Sequence, residues 1–440
     1  MARSPFSYVR SFFGFLWRML DVGRRTILNL LFLALLIALA IAIFAGGAKP
    51  LAPKTALVID LKGQLVEQSS TDPRDALLSV SGVGGGDGVR QLQLRDVLKV
   101  LEAGAKDPDI SSAVLLTDGM EGGGQASLRE VAAAVERFKA AGKPVVAWGS
   151  NFDQRQYLVA AHANEVYLHP MGMVLIEGFG RYRNYYRDAL DKLGVTVNVV
   201  RVGTYKSFAE PYIANGPSPA ASEAEAYLYN ALWASYTGSV EKARKLPAGQ
   251  IVKSINELPE RALEFNGDLA KLSLSSKLVD GLKTRDEIRT LMVQRGAPDE
   301  EGKSFRQIGF EQYLARQSTP MTGDAIGVVV AQGDIRDGSA GPGSIGGDST
   351  SKLIRTARED SNIKAIVLRV DSPGGSAFAS ELIRRELELT RAAGKPVVVS
   401  MGNVAASGGY WVSMSSDEVI ADPTTVTGSI GVFGILPTAE

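Results

Sequence analysis

Runs of β-branched and aliphatic residues recur along this chain in a set order, each closed by a glycine-rich stretch and followed by helical spacing of apolar positions. Residues 113–116 and 365–370 read as buried strands, and 127–140 and 380–392 then carry a helical pattern that closes at Gly142 or Gly394. Lys-Pro opens a second apolar strand at 145–148 or 397–401, and earlier strands fit 56–61 and 326–331. Strand, loop, helix, strand implies parallel pairing through right-handed crossovers, so the expected fold class is α/β. Residues 218 to about 315 are mainly helical by pattern.

The order is a duplication. Ala-Ala-Gly-Lys-Pro-Val-Val stands at 140–146 and again at 392–398, a spacing of 252. I-S-S-A-V-L-L-T-D at 110–118 matches I-K-A-I-V-L-R-V-D at 363–371, and N-E-V at 164–166 matches D-E-V at 417–419, both at a spacing of 253. The first unit is expected over residues 55–317 and the second over 323–440. The second ends inside the stretch that matches Gly180, so it is expected to be incomplete and the chain to be a C-terminally truncated fragment.

The N-terminus follows a different pattern. Residues 27–45 form a 19-residue apolar run with Asn29 as its one strongly polar member, enough as a helix to cross about 28 Å of hydrocarbon. Residues 1–48 are therefore expected to be a cytoplasmic segment and a retained membrane anchor, although Ala-Gly-Gly-Ala at 45–48 would also allow cleavage. Arg3, Arg10, Arg18, Arg24 and Arg25 precede the span with Asp21 as the lone acid, which keeps the N-terminus inside and sends everything after Pro50 outward, into a periplasm where the cell has one.

Composition narrows the chemistry. With no cysteine and two histidines, cysteine nucleophiles, thiolate zinc sites and three-histidine metal centres within one chain are excluded, and no cofactor or metal is expected. The 48 basic and 48 acidic residues balance, so nothing advertises a nucleic-acid partner. Any hydrolase here must use Ser, Thr, Lys, Asp or Glu.

One serine stands out. Ser407, in A-A-S-G-G-Y-W at 405–411, follows a buried strand and precedes an apolar stretch, 410–414, that could continue as a helix. Small neighbours leave room for a substrate carbonyl, and a helix N-terminus offers free N–H groups to a developing negative charge. It can be a nucleophile or an ordinary helix N-cap. The first unit has Gln154 or Arg155 at the matching place, so the fold does not require the hydroxyl. D-S-P-G-G-S at 371–376 supplies a Gly-Gly loop whose amides could form part of an oxyanion hole. His162 and His169 both lie in the unit without the serine and are expected to be structural. Lysine is the base type that remains, and it works only when burial lowers its pKa. Lys143 and Lys395 are duplicated with the framework and look structural; Lys206, after the strand-like residues 195–202, sits among apolar groups, but spacing alone does not single it out.

R-V-G-T-Y-K-S at 201–207, D-S-P-G-G-S at 371–376, A-A-S-G-G-Y-W at 405–411 and T-G-S-I-G at 427–431, in this order behind an apolar anchor, resemble the long, two-repeat bacterial signal peptide peptidase A (protease IV) family. These are membrane-anchored serine-lysine peptidases of the Clp-protease/crotonase superfamily. The resemblance implies Ser407 as nucleophile, Lys206 as general base, Ser429 as the hydroxyl that orients the lysine, and the amides of Gly375 and Gly408 as oxyanion hole. It also implies tandem Clp/crotonase-like repeats, a homo-oligomer of tetrameric form, and signal peptides and other apolar peptides as substrates at the outer face of the cytoplasmic membrane. A counterpart of Lys206 in the second unit falls beyond Glu440, so the dyad draws its base from one unit and its nucleophile from the other. On this reading the 440-residue form is expected to expose apolar surface and to be poorly active. Two alternatives stand beside it: a catalytically idle membrane scaffold, and a crotonase-type acyl-CoA enzyme.

Overall fold

A computed structural model of the chain describes residues 5–44, 50–70, 90–317 and 322–439. The chain divides into two compact units, Met1–Ala52 and Pro53–Glu440. The first is built on one 40-residue helix, Pro5–Phe44. Along it Ile27, Leu28, Leu30, Leu31, Phe32, Leu33, Leu35, Leu36 and Ile37 are all exposed. The side chains of residues 38–45 of the expected span lie outside the described residues, and among the described residues no helix is long and apolar enough to cross a membrane.

The second unit is mixed α/β with two parallel sheets. In the first sheet the strands run in the order Gln307–Gly309, Thr55–Asp60, Ile110–Leu116, Val145–Gly149, Glu165–Leu168 and Gly281–Leu282, every pair parallel. In the second the order is Ala325–Gln332, Ile363–Ser372, Val397–Ala406 and Glu418–Ala421, again parallel, with Val426–Gly428 pairing farther along Val397–Ala406. The central strands are apolar on both faces, as sheets covered by helices on both sides require. Val397, Val399, Ile366, Leu368 and Val370 are fully buried, each contributing about 1.5–3 kcal/mol of transfer free energy.

Most strands extend past at least one expected end, because the apolar run marks only the buried middle; Thr55–Asp60 stops one residue short of the expected 61. Two features have no counterpart in the sequence reading. A helix crosses from first to second strand in both copies, Leu94–Lys106 and Gly347–Glu359. The buried face of the second consists of Gly347, Thr350, Ser351 and Ala357, with only Ile354 large and apolar. The short strands Gly281–Leu282 and Gln307–Gly309 lie within the region read as helical, and two or three residues carry no periodicity to detect.

The duplicated lysines have a structural task. Lys143 Nζ donates to the carbonyls of Gly104 and Asp107, and Lys395 Nζ to those of Ala357 and Asp360, so each caps the C-terminal end of the crossover helix in its own copy. On the second sheet Val419 and Ile420 are about half exposed, whereas Val166 and Leu168 at the matching strand are fully buried.

Charged and polar groups bind the copies along their seam. Arg369 Nη2 donates to Glu67 at 2.7 Å and to Glu130 at 2.6 Å. Asn403 Oδ1 accepts the Ser127 amide at 3.0 Å while its Nδ2 donates to Ser127 Oγ and Asp371. Breaking a buried pair strands the charges left behind, at a cost of about 3–5 kcal/mol. Arg369→Ala is therefore expected to lower the unfolding free energy by about that amount in urea titration; a loss below about 1 kcal/mol would show that the seam is held elsewhere.

Candidate active site

Ser407 sits where the strand Val397–Ala406 turns into the helix Gly408–Ser413. Its backbone is held at φ 53° and ψ −115°, a conformation side-chain-bearing residues rarely adopt. The first copy has an ordinary helix start at this place: Asp153 at φ −76°, ψ 173°, forming a capping box with Gln156. Ser407 makes no such cap. Its amide donates to Gly428 O at 2.9 Å, which turns Oγ away from the helix it precedes. Strain of this kind is kept where a side chain must be aimed.

Lys206 arrives from the other half of the molecule. The strand Val195–Val202 leads into a tight turn closed by the Lys206 amide on Gly203 O at 3.1 Å. The same strand pairs antiparallel with Val432–Ala439, from Val202 opposite Val432 to Val195 opposite Ala439. This pairing was not legible in the sequence, and it sets the lysine beside the serine. Lys206 Nζ lies 3.2 Å from Ser407 Oγ, 2.9 Å from Ser429 O and 3.2 Å from Ser429 Oγ. Ser429, also at positive φ, thus touches the amine through both its carbonyl and its hydroxyl.

The electrostatics follow from burial. Lys206 is 9% exposed and among the described residues no carboxylate hydrogen-bonds its amine, so desolvation pushes its pKa below the ordinary lysine value. A neutral amine has two N–H bonds and one lone pair. With the N–H bonds directed to Ser429 O and Oγ, the lone pair remains for the Ser407 hydroxyl.

Gly374 and Gly375 bring the loop after Ile363–Ser372 against the serine. A Cβ on Gly374 would lie 2.6 Å from Gly408 N and 2.8 Å from Ser407 Cβ; one on Gly375, at φ 152°, would lie 2.0 Å from Ile335 O. Ser372 Oγ steadies the loop by accepting the Gly374 amide and donating to Gly333 O. Among the described residues neither the Gly375 nor the Gly408 amide has an acceptor in the protein, so both N–H groups are free for a ligand oxygen.

The histidines lie elsewhere. His162 bridges Glu136 and Ser239 Oγ, and His169 Nδ1 accepts the Met171 amide. Two residues that the sequence reading passed over, Arg201 and Glu210, brace the lysine turn: Arg201 Nη1 donates to Lys206 O and to Glu210 Oε1, both at 3.3 Å. Arg201 opens the R-V-G-T-Y-K-S stretch without a role of its own there, and Glu210 shows only as E-P four residues after the lysine, which by itself marks a helix start.

The Peptidase family S49 profile matches residues 137–297 and 390–440. "Protease 4" of Salmonella typhi is 39% identical over 443 residues, covering 100% of this chain and 71% of that protein. "Protease 4" of Haemophilus influenzae is 36% identical, covering 97% and 70%. The chloroplastic serine protease SPPA of Arabidopsis thaliana is 28% identical, covering 74% and 48%.

The lowered pKa of Lys206 has a measurable sign. Because the native state penalises the ammonium, the unfolded chain binds more protons between the depressed pKa and the ordinary value of 10.5, and native stability rises with pH across that interval. Relative to Lys206→Met, the wild-type protein is expected to gain thermal stability as pH climbs from 7 toward 10; a pH-independent difference in Tm would contradict the desolvated lysine.

Proposed function

The chain belongs to peptidase family S49 and is a serine protease, and from that premise we propose that it cleaves apolar peptides with a Ser407–Lys206 dyad beside a membrane. The observation that carries this reading is the 3.2 Å contact between Lys206 Nζ, buried and, among the described residues, without a carboxylate partner, and the Oγ of a serine in strained backbone. A serine protease leaves no place for the idle scaffold or the acyl-CoA enzyme.

Neutral Lys206 takes the Ser407 proton as Oγ attacks the scissile carbonyl carbon. The carbonyl π electrons move to oxygen, and the Gly375 and Gly408 amides hydrogen-bond the resulting oxyanion. The tetrahedral intermediate collapses, the C–N bond breaks, and the leaving amine takes its proton from the Lys206 ammonium. Water then attacks the acyl-enzyme ester, giving its proton to Lys206, and Ser407 leaves with that proton. Ser429 keeps the amine aimed through both halves of the cycle.

The outward-facing location, the anchor and the signal-peptide substrates belong to the same proposal. The apolar run 27–45, the arginines before it and the uniformly exposed side chains from Ile27 to Ile37 support an anchor. A site tethered at a bilayer suits leftover apolar segments of signal peptides, and the family resemblance favours a homo-oligomer, tetrameric by analogy.

A fluorophosphonate probe is expected to label Ser407 in membranes or detergent. Ser407→Ala should abolish labelling, Lys206→Ala should slow it by at least about 100-fold, in the range of general-base contributions, and Gly375→Ala should slow it comparably. Full labelling of Ser407→Ala would dismiss the dyad. Release of the protein from membranes by alkaline carbonate would dismiss the anchor while leaving the dyad standing.

A further inference from the structure

We infer that Glu210 is the positioning residue of Lys206, acting through Arg201, and that the two make the lysine turn a rigid pedestal for the amine. This rests on the reading of Lys206 as general base. A lysine has a long stem with about 2 kcal/mol of rotamer entropy, and a general base must stay within hydrogen-bond reach of its proton. Nζ alone, held by hydroxyls and one carbonyl, does not fix the backbone from which that stem starts.

The backbone is held by a buried carboxylate. Glu210 is 3% exposed, and its oxygens accept Arg201 Nη1 at 3.3 Å, Ser218 Oγ at 2.6 Å and the Ser218 amide at 3.1 Å. The same Arg201 nitrogen donates to the Lys206 carbonyl. The Glu210 amide donates to Ser207 O, which closes the turn on its other side. Ser218 is the N-cap of the 26-residue helix Pro219–Arg244, so the carboxylate also lies by the positive end of a long helix. These partners hold the Glu210 carboxyl below its ordinary pKa in spite of burial.

Contacts therefore run without a gap from a helix terminus through Glu210 and Arg201 to the Lys206 carbonyl. Arg201 stands opposite Phe433 in the cross-strand pairing, so the brace and the strand that brings the two halves together share one residue. Arg183 and Glu223 also touch the turn, at Phe208 O and Tyr205 OH, but neither reaches the lysine. Burying a carboxylate costs more than burying an aliphatic side chain of similar size, and the Glu210 side chain is buried while that of Arg201 is partly exposed, so packing alone does not account for glutamate at this position. Pairing with Arg201 has a second effect: the carboxylate nearest the lysine in sequence is already matched and does not stabilise its ammonium.

The test uses the full chain in detergent and reads fluorophosphonate labelling rate against pH, peptide kcat and KM, and Tm, for Glu210→Gln, Arg201→Lys and Lys206→Ala. Glu210→Gln is expected to label at least ten-fold more slowly, with kcat falling and KM within two-fold. Its half-maximal labelling rate should move to higher pH, because a loosened lysine is hydrated and its ammonium is no longer penalised. Arg201→Lys, which keeps charge and stem but loses the fork, should shift in the same direction and covers the case in which Glu210→Gln does not fold. A lowered Tm with the pH midpoint and per-site rate unchanged would overturn the proposal and leave Glu210 a stabilising residue only. Should Lys206→Ala label as fast as wild type, the dyad reading fails and this one with it; if Lys206→Ala is silent while both other variants behave as wild type, only the positioning role is lost.

Discussion

Eight residue pairs between Val195–Val202 and Val432–Ala439 join a strand of the first copy to a strand of the second, and the site depends on that ribbon. Lysine and serine come from segments about two hundred residues apart, and no local element spans them. Antiparallel pairing has a register, so once Val202 faces Val432 the turn after Val202 and the turn before Val432 must meet. Lys206 and Ser429 lie in those two turns. A two-stranded ribbon is marginal by itself; here the stacked rings of Phe208 and Phe433, 4.7 Å apart, and the polar seam along Glu67, Arg369, Ser127 and Asn403 supply what the ribbon lacks.

The second constraint is that among the described residues no carboxylate partners the Lys206 amine. An amine is useful as a base near neutral pH only if its charged form is disfavoured, and burial among hydroxyls and carbonyls does this where a carboxylate partner would do the reverse. Folding therefore works against its own stability at Lys206, as it does at the strained φ angles of Ser407 and Ser429. Both costs fall around one amine, with Ser407 Oγ and Ser429 Oγ each 3.2 Å from Lys206 Nζ, and the surrounding framework is regular.

That framework is what the two copies share. Asp118 accepts the Ser150 amide and hydroxyl in the first copy, and Asp371 accepts the Val404 amide in the second, so each ties the end of one central strand to the next. The capping lysines repeat likewise. At the strand-to-helix turn the copies diverge, with a capping box in one and a strained serine in the other. One scaffold thus carries Ser407 in one copy and Lys206 in the other, 3.2 Å apart.

Much of this was readable in one dimension. Buried parallel strands need unbroken apolar runs, so 113–116, 145–148, 365–370 and 397–401 mark the strand cores, and internal matching exposes the duplication. Ser407 stands out because small residues flank it at a strand-to-helix turn and the first copy lacks the hydroxyl, although an ordinary helix N-cap fits the same pattern. Lys206 was named through family resemblance, since a lysine after a strand has no local signature. What the sequence by itself determined is the local part: which runs must be buried, where helices start and stop, and which side-chain chemistries are available. Only the tertiary structure decided which groups meet. The strand register, the desolvation of Lys206 and the Arg201–Glu210 brace are properties of distances between segments remote in the chain, and Coulomb, hydrogen-bond and solvation energies depend on those distances and not on separation in sequence.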